Sequence, residues 1–500
     1  MFDPWTRDSS GARRRAGELL GFRGFGEDHS RARETRAMSS RSEPPGASVD
    51  AIVLAAGKGT RMKSRRPKVL HELCGRSMLG HILHTLRASG IDGISVVVSP
   101  EMYAQVSKDD GFEAVIQDPQ LGTGHAVQMA LAHLDAIAPS ALDRGVLVLG
   151  ADMPLIPASL IERVISTTRS RPGTTALVTA RVALPSFFGR IIRERGALVR
   201  IVEQRDATPP QLQIDEVNAG IYCFDGPGLR HAIGKLRADN AQRELYLTDC
   251  IAAIVAAGGR VETVEAEAAA DVAGINNQVE LAAARALLQE RVLREHMLAG
   301  VTIVDPRSTY VDSGVAIGQD TTIHPQTHLL GDTVIGQGCE IGPNTVIANS
   351  RVADSAQIQQ STIKDSAVGE GVTIGPFAHL RSNTTVESGA HIGNFVEMKK
   401  SRMGRGAKAG HLTYLGDADV GENANIGAGT ITCNYDGTHK HKTKVGKSAF
   451  IGSNSSLVAP LDVGEGALTG AGSVVIRDVP PGERVVGNPA RALPKKNAKP

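Results

Sequence analysis

The string LAAGKGTRM at 54–62 follows an aliphatic run without interruption, and Lys68 stands just beyond it in RPKVLH at 66–71. Glycines let the backbone N–H groups of such a turn approach a phosphate, and Arg61 and Lys68 would neutralise it. Two better-known phosphate loops are excluded, because the Walker A string and the dinucleotide fingerprint both need glycine where Met62 stands. The plain alternative is a glycine turn flanked by solvated cations. A second apolar run ends in GADMP at 150–154, where the Asp152 carboxylate suits either Mg²⁺ held against phosphates or a helix cap. QDPQLGTGHA at 117–126 offers Gln117 and Gln120 to a base edge, and a small Gly122-Thr123 turn on which a ring can lie. Asn218 in EVNAGIYCF and Asn276 in VAGINN read as strand-end amides, significant only as part of this set.

These residues need elements to hold them. From 48 to about 276, aliphatic runs at 51 (AIVLAA), 94 (ISVVVS), 145 (GVLVLGAD), 175 (TALVTARV) and 220 (GIYCF) alternate with helical segments. Continuous apolar strands separated by helices indicate an α/β domain, a parallel sheet covered on both faces with ligands at the carboxyl ends of its strands. Residues 277–299 contain neither Gly nor Pro and stop at Gly300, which predicts a long linking helix.

Beyond it the chain repeats every six residues. Ile317, Ile323, Leu329, Ile335, Ile341 and Ile347 form one run; Val368, Ile374, Leu380, Val386, Ile392 and Met398 a second; Val445, Ile451, Leu457, Val463, Thr469 and Val475 a third. Period six fits neither helix nor simple strand, but matches the hexapeptide repeats of a parallel β-helix, with the aliphatic residues filling a narrow prism. Glycines that follow them, as at Gly336, Gly375, Gly427 and Gly452, are expected to permit tight corners with positive φ. The interval breaks between Thr432 and Val445, where TCNYDGTHKHKT must leave the coil as a loop.

On this frame Arg381 and Lys399 lie one three-hexad coil apart and can clamp a phosphate from one face. His411 is the obvious proton acceptor nearby, with His439 and His441 as competitors. An imidazole of pKa ~6.5 suits an amine that must lose a proton as it attacks a thioester. Three histidines converging on zinc are not evident.

Composition excludes several classes. With 55 basic and 53 acidic residues the net charge is +2, and aromatics are 3%, which argues against a broad nucleic-acid surface and favours small-molecule partners. No apolar run is long enough to span a bilayer. Cys74, Cys223, Cys250, Cys339 and Cys433 are scattered and odd in number, fitting a reducing cytoplasm rather than a disulfide framework. Residues 1–47, rich in Arg, Gly and Ser, show no sustained periodicity and are expected to be disordered.

LAAGKGTRM with its downstream Pro-Lys resembles the sugar-1-phosphate nucleotidyltransferases. Together with GNFVEMKK (393–400), GHLTYLGDA (410–418) and TITCNYDG (430–437), the chain closely resembles the family of bifunctional N-acetylglucosamine-1-phosphate uridyltransferase/glucosamine-1-phosphate acetyltransferases from about 49 to 480. The resemblance implies a Rossmann-like nucleotidyltransferase domain at 48–276, a linker helix at 277–300 and a left-handed parallel β-helix at 301–500. It implies Leu54, Gly57, Lys68, Gln117, Gly122 and Thr123 around UTP, Arg61 and Lys68 at the reacting phosphates, and Asp152 with Asn276 on Mg²⁺. It implies Gly189, Glu203, Asn218 and Asn276 around the N-acetyl sugar. In the second half it implies Arg381, Lys399, Tyr414 and Asn425 at glucosamine 1-phosphate, His411 as base, and Ala428, Asn434, Tyr435, Ser453 and Ala471 along acetyl-CoA. A homotrimer and a role in cell-envelope precursor synthesis follow from the same resemblance. Two departures stand out: Gly150-Ala151-Asp152 where the family often reads Tyr-Gly-Asp, and Asn488 where an arginine for the coenzyme phosphate is expected, with Arg491 as a substitute. Alternatives are a nucleotidyltransferase with a merely regulatory β-helix, and a non-catalytic regulatory subunit. Intact LAAGKGTRM, Lys68 and Asp152 speak against the second, and His411 with NYDG against the first.

Overall fold

Each aliphatic run of the first half becomes a strand in the computed structural model, which describes residues 49–106, 111–137 and 145–493; the extension 1–47 lies outside the described residues. Val49–Leu54 runs parallel to Ile94–Val98 on one side and to Gly145–Gly150 on the other, so that Leu54 stands beside Gly150. The order across the sheet is Arg260–Glu265, Thr174–Arg181, Glu216–Asp225, Gly145–Gly150, Val49–Leu54, Ile94–Val98, Glu113–Ile116. Apolar cores fill both faces. One takes Leu79, Ile82 and Leu86 of helix Met78–Ala88 and Ile161 and Val164 of helix Ala158–Arg169; the other takes Val127, Ala130 and Leu134 of helix Thr123–Ile137.

The sheet is not purely parallel, which corrects the sequence-based expectation. Glu216–Asp225 runs antiparallel to both neighbours and carries the hairpin Arg190–Glu194/Ala197–Val202. An apolar run reports that a strand is buried, but not its direction. Asn218 accordingly lies inside this strand, at a break in its register, rather than at a strand end.

Asn276 also departs from the strand-end expectation, because it sits at the entry to the helix Gln278–Leu298. There a reciprocal cap fixes it. The Asn277 side chain accepts from Glu280 N at 2.9 Å, while the Glu280 carboxylate accepts from Asn276 N at 2.7 Å. The helix then joins the two halves through its packing. Leu281 and Ala284 pack with Met62, Leu73, Met78 and Leu155, whereas Val292 and Leu293 join Val301 and Ile303 in the core of the repeats.

In the second half each coil gives one short strand to each of three parallel sheets, of twelve, ten and nine strands, the first closing on an antiparallel hairpin. The aliphatic hexad residues form one continuous core, with Ile317 only packed against its edge, and Thr469 is a buried polar residue at its hexad position. The step shortens to five at Val352, Ile363 and Val368, so register partners there lie 16 or 17 residues apart, as in Val346 with Thr362 and Glu340 with Gln357.

The glycine expectation needs a second correction. Gly375 does adopt φ +107°, but Gly336, Gly427 and Gly452 do not have positive φ. Their constraint is space: a Cβ on Gly427 would lie 2.5 Å from Ser453 N, and one on Gly452 2.6 Å from Ala471 N in the next coil. Left-handed corners are taken instead by Asn344, Gln360, Phe377, Phe395, Leu412 and Asn454.

Candidate functional site

The adjacent carboxyl ends of Val49–Leu54 and Gly145–Gly150 open into a cavity of about 740 Å³. Its lining contains Leu54, Gly57, Gln117, Gly122 and Thr123 together with Gly189, Glu203, Asn218, Asp152 and Asn276. Gly57 has no neighbour within 4 Å of where a Cβ would stand, so its backbone is open to a ligand. The glycine turn is held to Lys68, since Gly59 has φ +57° and a Cβ there would lie 2.7 Å from Lys68 Cβ. Lys68 Nζ in turn donates to Asp152 Oδ2 at 2.5 Å and Asn276 Oδ1 at 3.3 Å, and Arg61 Nη2 donates to the same Asn276 oxygen at 2.8 Å. Four residues from three distant segments thus meet at one point.

Gly122, with φ +105°, has a specific reason to be glycine: a Cβ would lie 2.6 Å from Leu245 O, which already accepts from Gly124 N. Gln117 Nε2 donates to Gly122 O at 2.9 Å and Gln120 Nε2 to Ala56 O at 2.7 Å. Both amide groups therefore brace the walls, and each keeps its Oε1 acceptor to offer a base. On Glu203, Oε1 accepts from Thr248 Oγ1 at 3.1 Å, and burial raises the carboxyl pKa, with Asp249 and Asp206 adding to it. Asn218 donates to the buried Tyr222 hydroxyl at 2.7 Å, and its own N–H donates to Gly189 O. Sequence reasoning missed Thr248, Tyr222 and Phe187, the last 87% exposed yet lining the cavity. Thr248 and Tyr222 act through partners distant in sequence or behind a register break, which no local pattern marks.

The β-helix assembles a second group. Arg381, Lys399 and Gly416 are successive register partners on the ten-stranded sheet, and Glu397 pairs with Tyr414 beside them. Gly416 carries no side chain where the Tyr414 hydroxyl and the Asn434 amide fill the space. Arg381 is ion-paired with Glu397 at 2.5 Å. Lys440, which sequence reasoning did not single out, returns from the expelled loop to Lys399. Its amine, then Arg381, lowers the Lys399 pKa below the ordinary range. Arg381 is balanced by Glu397, while the mutual repulsion of Lys399 and Lys440 exceeds the counter-pull of Asp417, so this cationic excess makes a site for a phosphate dianion. The loop is tied down by Asn434 Nδ2 to Asp417 Oδ2 at 2.6 Å and by the Tyr435–Lys440 bridge.

His411 ends the strand Lys408–His411, in the middle of the twelve-stranded sheet, at the corner that leads to Tyr414. Its Nδ1 lies 2.5 Å from Oδ1 of Asn394, its register partner one coil earlier. With that oxygen accepting, Nδ1 donates and Nε2 keeps its lone pair. Ala428, Ser453 and Ala471 follow up the same corner, each coil bonded to the next by Gly429 N to His411 O, Asn454 N to Ala428 O and Gly472 N to Ser453 O. Asn425 lies on the strand leading into this corner. Of the competing histidines, His441 contacts Asp436 at 2.6 Å, and the backbone N–H of His439, the His441 ring and the N–H of Thr438 hold the Asp436 pKa down to about 2. Asn394 escaped notice because it lies 17 residues from His411, not the 18 of a full three-hexad coil. Asn488 follows the position one coil above Ala471, and Arg491 starts the closing strand of the hairpin.

Comparison with known proteins adds an independent line. Residues 51–246 match the MobA-like NTP transferase domain, and 314–349 and 365–400 match the bacterial transferase hexapeptide. The chain is 46% identical over 437 residues to the Bifunctional protein GlmU of Trichlorobacter lovleyi, covering 86% of this chain and 94% of that protein. It is 46% identical to that of Heliobacterium modesticaldum, covering 87% and 94%, and 44% identical to that of Mycobacterium bovis, covering 87% and 89%.

Proposed function

The chain belongs to the bifunctional GlmU family, and from that membership we infer that it acetylates glucosamine 1-phosphate and then uridylylates the product, releasing UDP-N-acetylglucosamine and pyrophosphate. The architecture is a nucleotidyltransferase domain followed by a left-handed β-helix of hexapeptide repeats. We divide it at 48–276, 277–300 and 301–500. The observation that carries the reading is that one chain holds two separate clusters, Arg61, Lys68, Asp152 and Asn276 in one half, and Arg381, Lys399 and Lys440 near His411 in the other.

At the first site the phosphate of N-acetylglucosamine 1-phosphate attacks the α-phosphorus of UTP, and the bond to the β-phosphate breaks. A phosphate dianion is already nucleophilic, so the protein positions the reactants and neutralises charge. Lys68 and Arg61 do the latter, with the nucleotide against Leu54, Gly57, Gln117, Gly122 and Thr123, and the N-acetyl sugar against Gly189, Glu203 and Asn218. Asp152 and Asn276 fit Mg²⁺, because their hard oxygens already converge on one cation, the Lys68 ammonium, and phosphate and water complete such a shell. When bound there the ion supplies further neutralisation of the polyphosphate.

At the second site Arg381, Lys399 and Lys440 hold the phosphate of glucosamine 1-phosphate, with Tyr414 and Asn425 at the sugar. His411 Nε2 takes the proton from the sugar nitrogen as that nitrogen attacks the thioester carbonyl and the coenzyme thiolate departs. Acetyl-CoA lies along Ala428, Asn434, Tyr435, Ser453 and Ala471.

The assembly is a homotrimer. Phe377, Phe395 and Leu412 support this: they are 52%, 54% and 63% exposed, all take strained left-handed corners, and the two rings stack at 5.3 Å. A neighbouring copy would cover this ridge, and sedimentation at about three times the 52.6 kDa chain mass checks it. Among the described residues no helix is long and apolar enough to cross a membrane, and no cysteine is in a disulfide, which supports the cytoplasm as its compartment. Purified chain given glucosamine 1-phosphate, acetyl-CoA, UTP and Mg²⁺ should form UDP-N-acetylglucosamine, and none when acetyl-CoA is left out. Formation of UDP-glucosamine from glucosamine 1-phosphate and UTP when acetyl-CoA is left out would overturn the order of steps.

A further inference from the structure

One large side chain lines the first cavity without packing into the fold. Phe187 is more exposed than any other large apolar residue among the described residues, yet it belongs to that lining. Its segment is anchored at both ends. Val182 N donates to Asp215 O at 3.1 Å, and Gly189 O accepts from Asn218 N at 2.9 Å, while a Cβ on Gly189 would lie 3.0 Å from Ile201 Cγ2. Between these anchors the Arg190 guanidinium, 1% exposed, donates to Ser186 O at 2.9 Å and to Phe188 O. No carboxylate pairs with Arg190 among the described residues, and its Nε has no hydrogen-bond partner there. A buried charge is costly unless its hydrogen bonds offset the lost hydration. Here those bonds go to the carbonyls on either side of Phe187, so the turn is fixed and the ring between them is held at the cavity mouth.

Its neighbours say what the ring meets. Gly189 stands two residues on, and Glu203 Oε2 lies 3.5 Å from where a Gly189 Cβ would be, so Phe187 is rooted in the segment assigned to the N-acetyl sugar. The nucleotide residues Gly57, Gly122 and Thr123 come from other segments. The polar groups at the sugar end, Glu203, Asn218 and Thr248, suit hydroxyls and an amide, but a pyranose also has an apolar C–H face and an acetyl methyl. An exposed aromatic face at the rim matches those groups. We infer that Phe187 covers the sugar of bound N-acetylglucosamine 1-phosphate, excludes water from its apolar face, and so sets affinity for the sugar substrate but not for UTP. The inference rests on the uridylyl-transfer reading above.

The test uses the full chain. In Phe187→Ala the KM for N-acetylglucosamine 1-phosphate should rise about tenfold, equivalent to about 1.4 kcal/mol, while the KM for UTP stays within about twofold of the parent. A folding defect in this half would raise both. Phe187→Tyr should recover most of the loss, because it keeps the flat apolar face. Coverage itself is read with Phe187→Trp, since the chain has a single other tryptophan, Trp5, whose emission the parent reports. UDP-N-acetylglucosamine, at a concentration that inhibits the forward reaction of that variant, should shift its emission to the blue, and UTP alone should not. A KM for N-acetylglucosamine 1-phosphate within about twofold of the parent in Phe187→Ala, or an equal rise for UTP, would overturn the proposal while leaving the uridylyl reading intact. So would an emission unmoved by UDP-N-acetylglucosamine, or moved as far by UTP alone. A parent chain that makes no UDP-N-acetylglucosamine from N-acetylglucosamine 1-phosphate and UTP would overturn both, and that outcome is read before any variant is made.

Discussion

Replacing His411 with alanine is expected to lower acetyl transfer by about 10² to 10⁴-fold, the usual contribution of a positioned base, and to leave uridylyl transfer unchanged. The residue is exposed at the end of the strand Lys408–His411, with Nδ1 held by Asn394, so its removal leaves no buried cavity and the coil should stay folded. Asn394→Ala separates positioning from proton transfer. It should lower acetyl transfer less than His411→Ala and alter its pH profile, because Nδ1 would lose the partner that fixes the tautomer. Measuring thiol release against pH for both variants checks this. If His411→Ala stays within a few-fold of the parent, the ring is structural.

Asp152→Ala is expected to lower uridylyl transfer by at least about 10² to 10³-fold, the scale seen when one preorganised electrostatic contact to a transition state is removed. The substitution removes an oxygen proposed to hold Mg²⁺ and also frees Lys68, whose ammonium Asp152 fixes at 2.5 Å. Acetyl transfer should be untouched, because none of its proposed residues contacts this carboxylate. Pyrophosphate release and thiol release measured on the same preparation decide it. Equal loss of both in a folded protein would contradict the assignment of the two reactions to two separate sites.

The sequence revealed unequal parts of this arrangement, for physical reasons. The hexads at Ile323–Ile347 and Val368–Met398 were legible because a closed prism must receive an apolar side chain at every step, so its geometry is written directly into spacing. The five-residue steps near Val352 and Ile363 were not, since a coil shortened by one residue keeps its core while breaking the count. Gly427 and Gly452 could be found by position but not by cause, as close approach of the next coil depends on residues about 18 to 26 positions away. The strand Glu216–Asp225 was visible as an apolar run, yet its antiparallel direction is set by its neighbours. Among the site residues, Lys68 and Asp152 sit in local strings that mark them. Lys440, Asn394 and Thr248 gain their partners only through the folding of a loop, a coil or a distant helix start.

The most direct measurement of the central claim mixes the two disabled chains. Asp152→Ala and His411→Ala should each fail to make UDP-N-acetylglucosamine from glucosamine 1-phosphate, acetyl-CoA, UTP and Mg²⁺. Combined in one vessel they should make it, because N-acetylglucosamine 1-phosphate released by the first protein can diffuse to the intact nucleotidyl site of the second. Product formation in the mixture but in neither protein alone is the expected result. A mixture as inactive as its components, with both proteins folded and the parent active, would contradict two complete and separable sites in this chain.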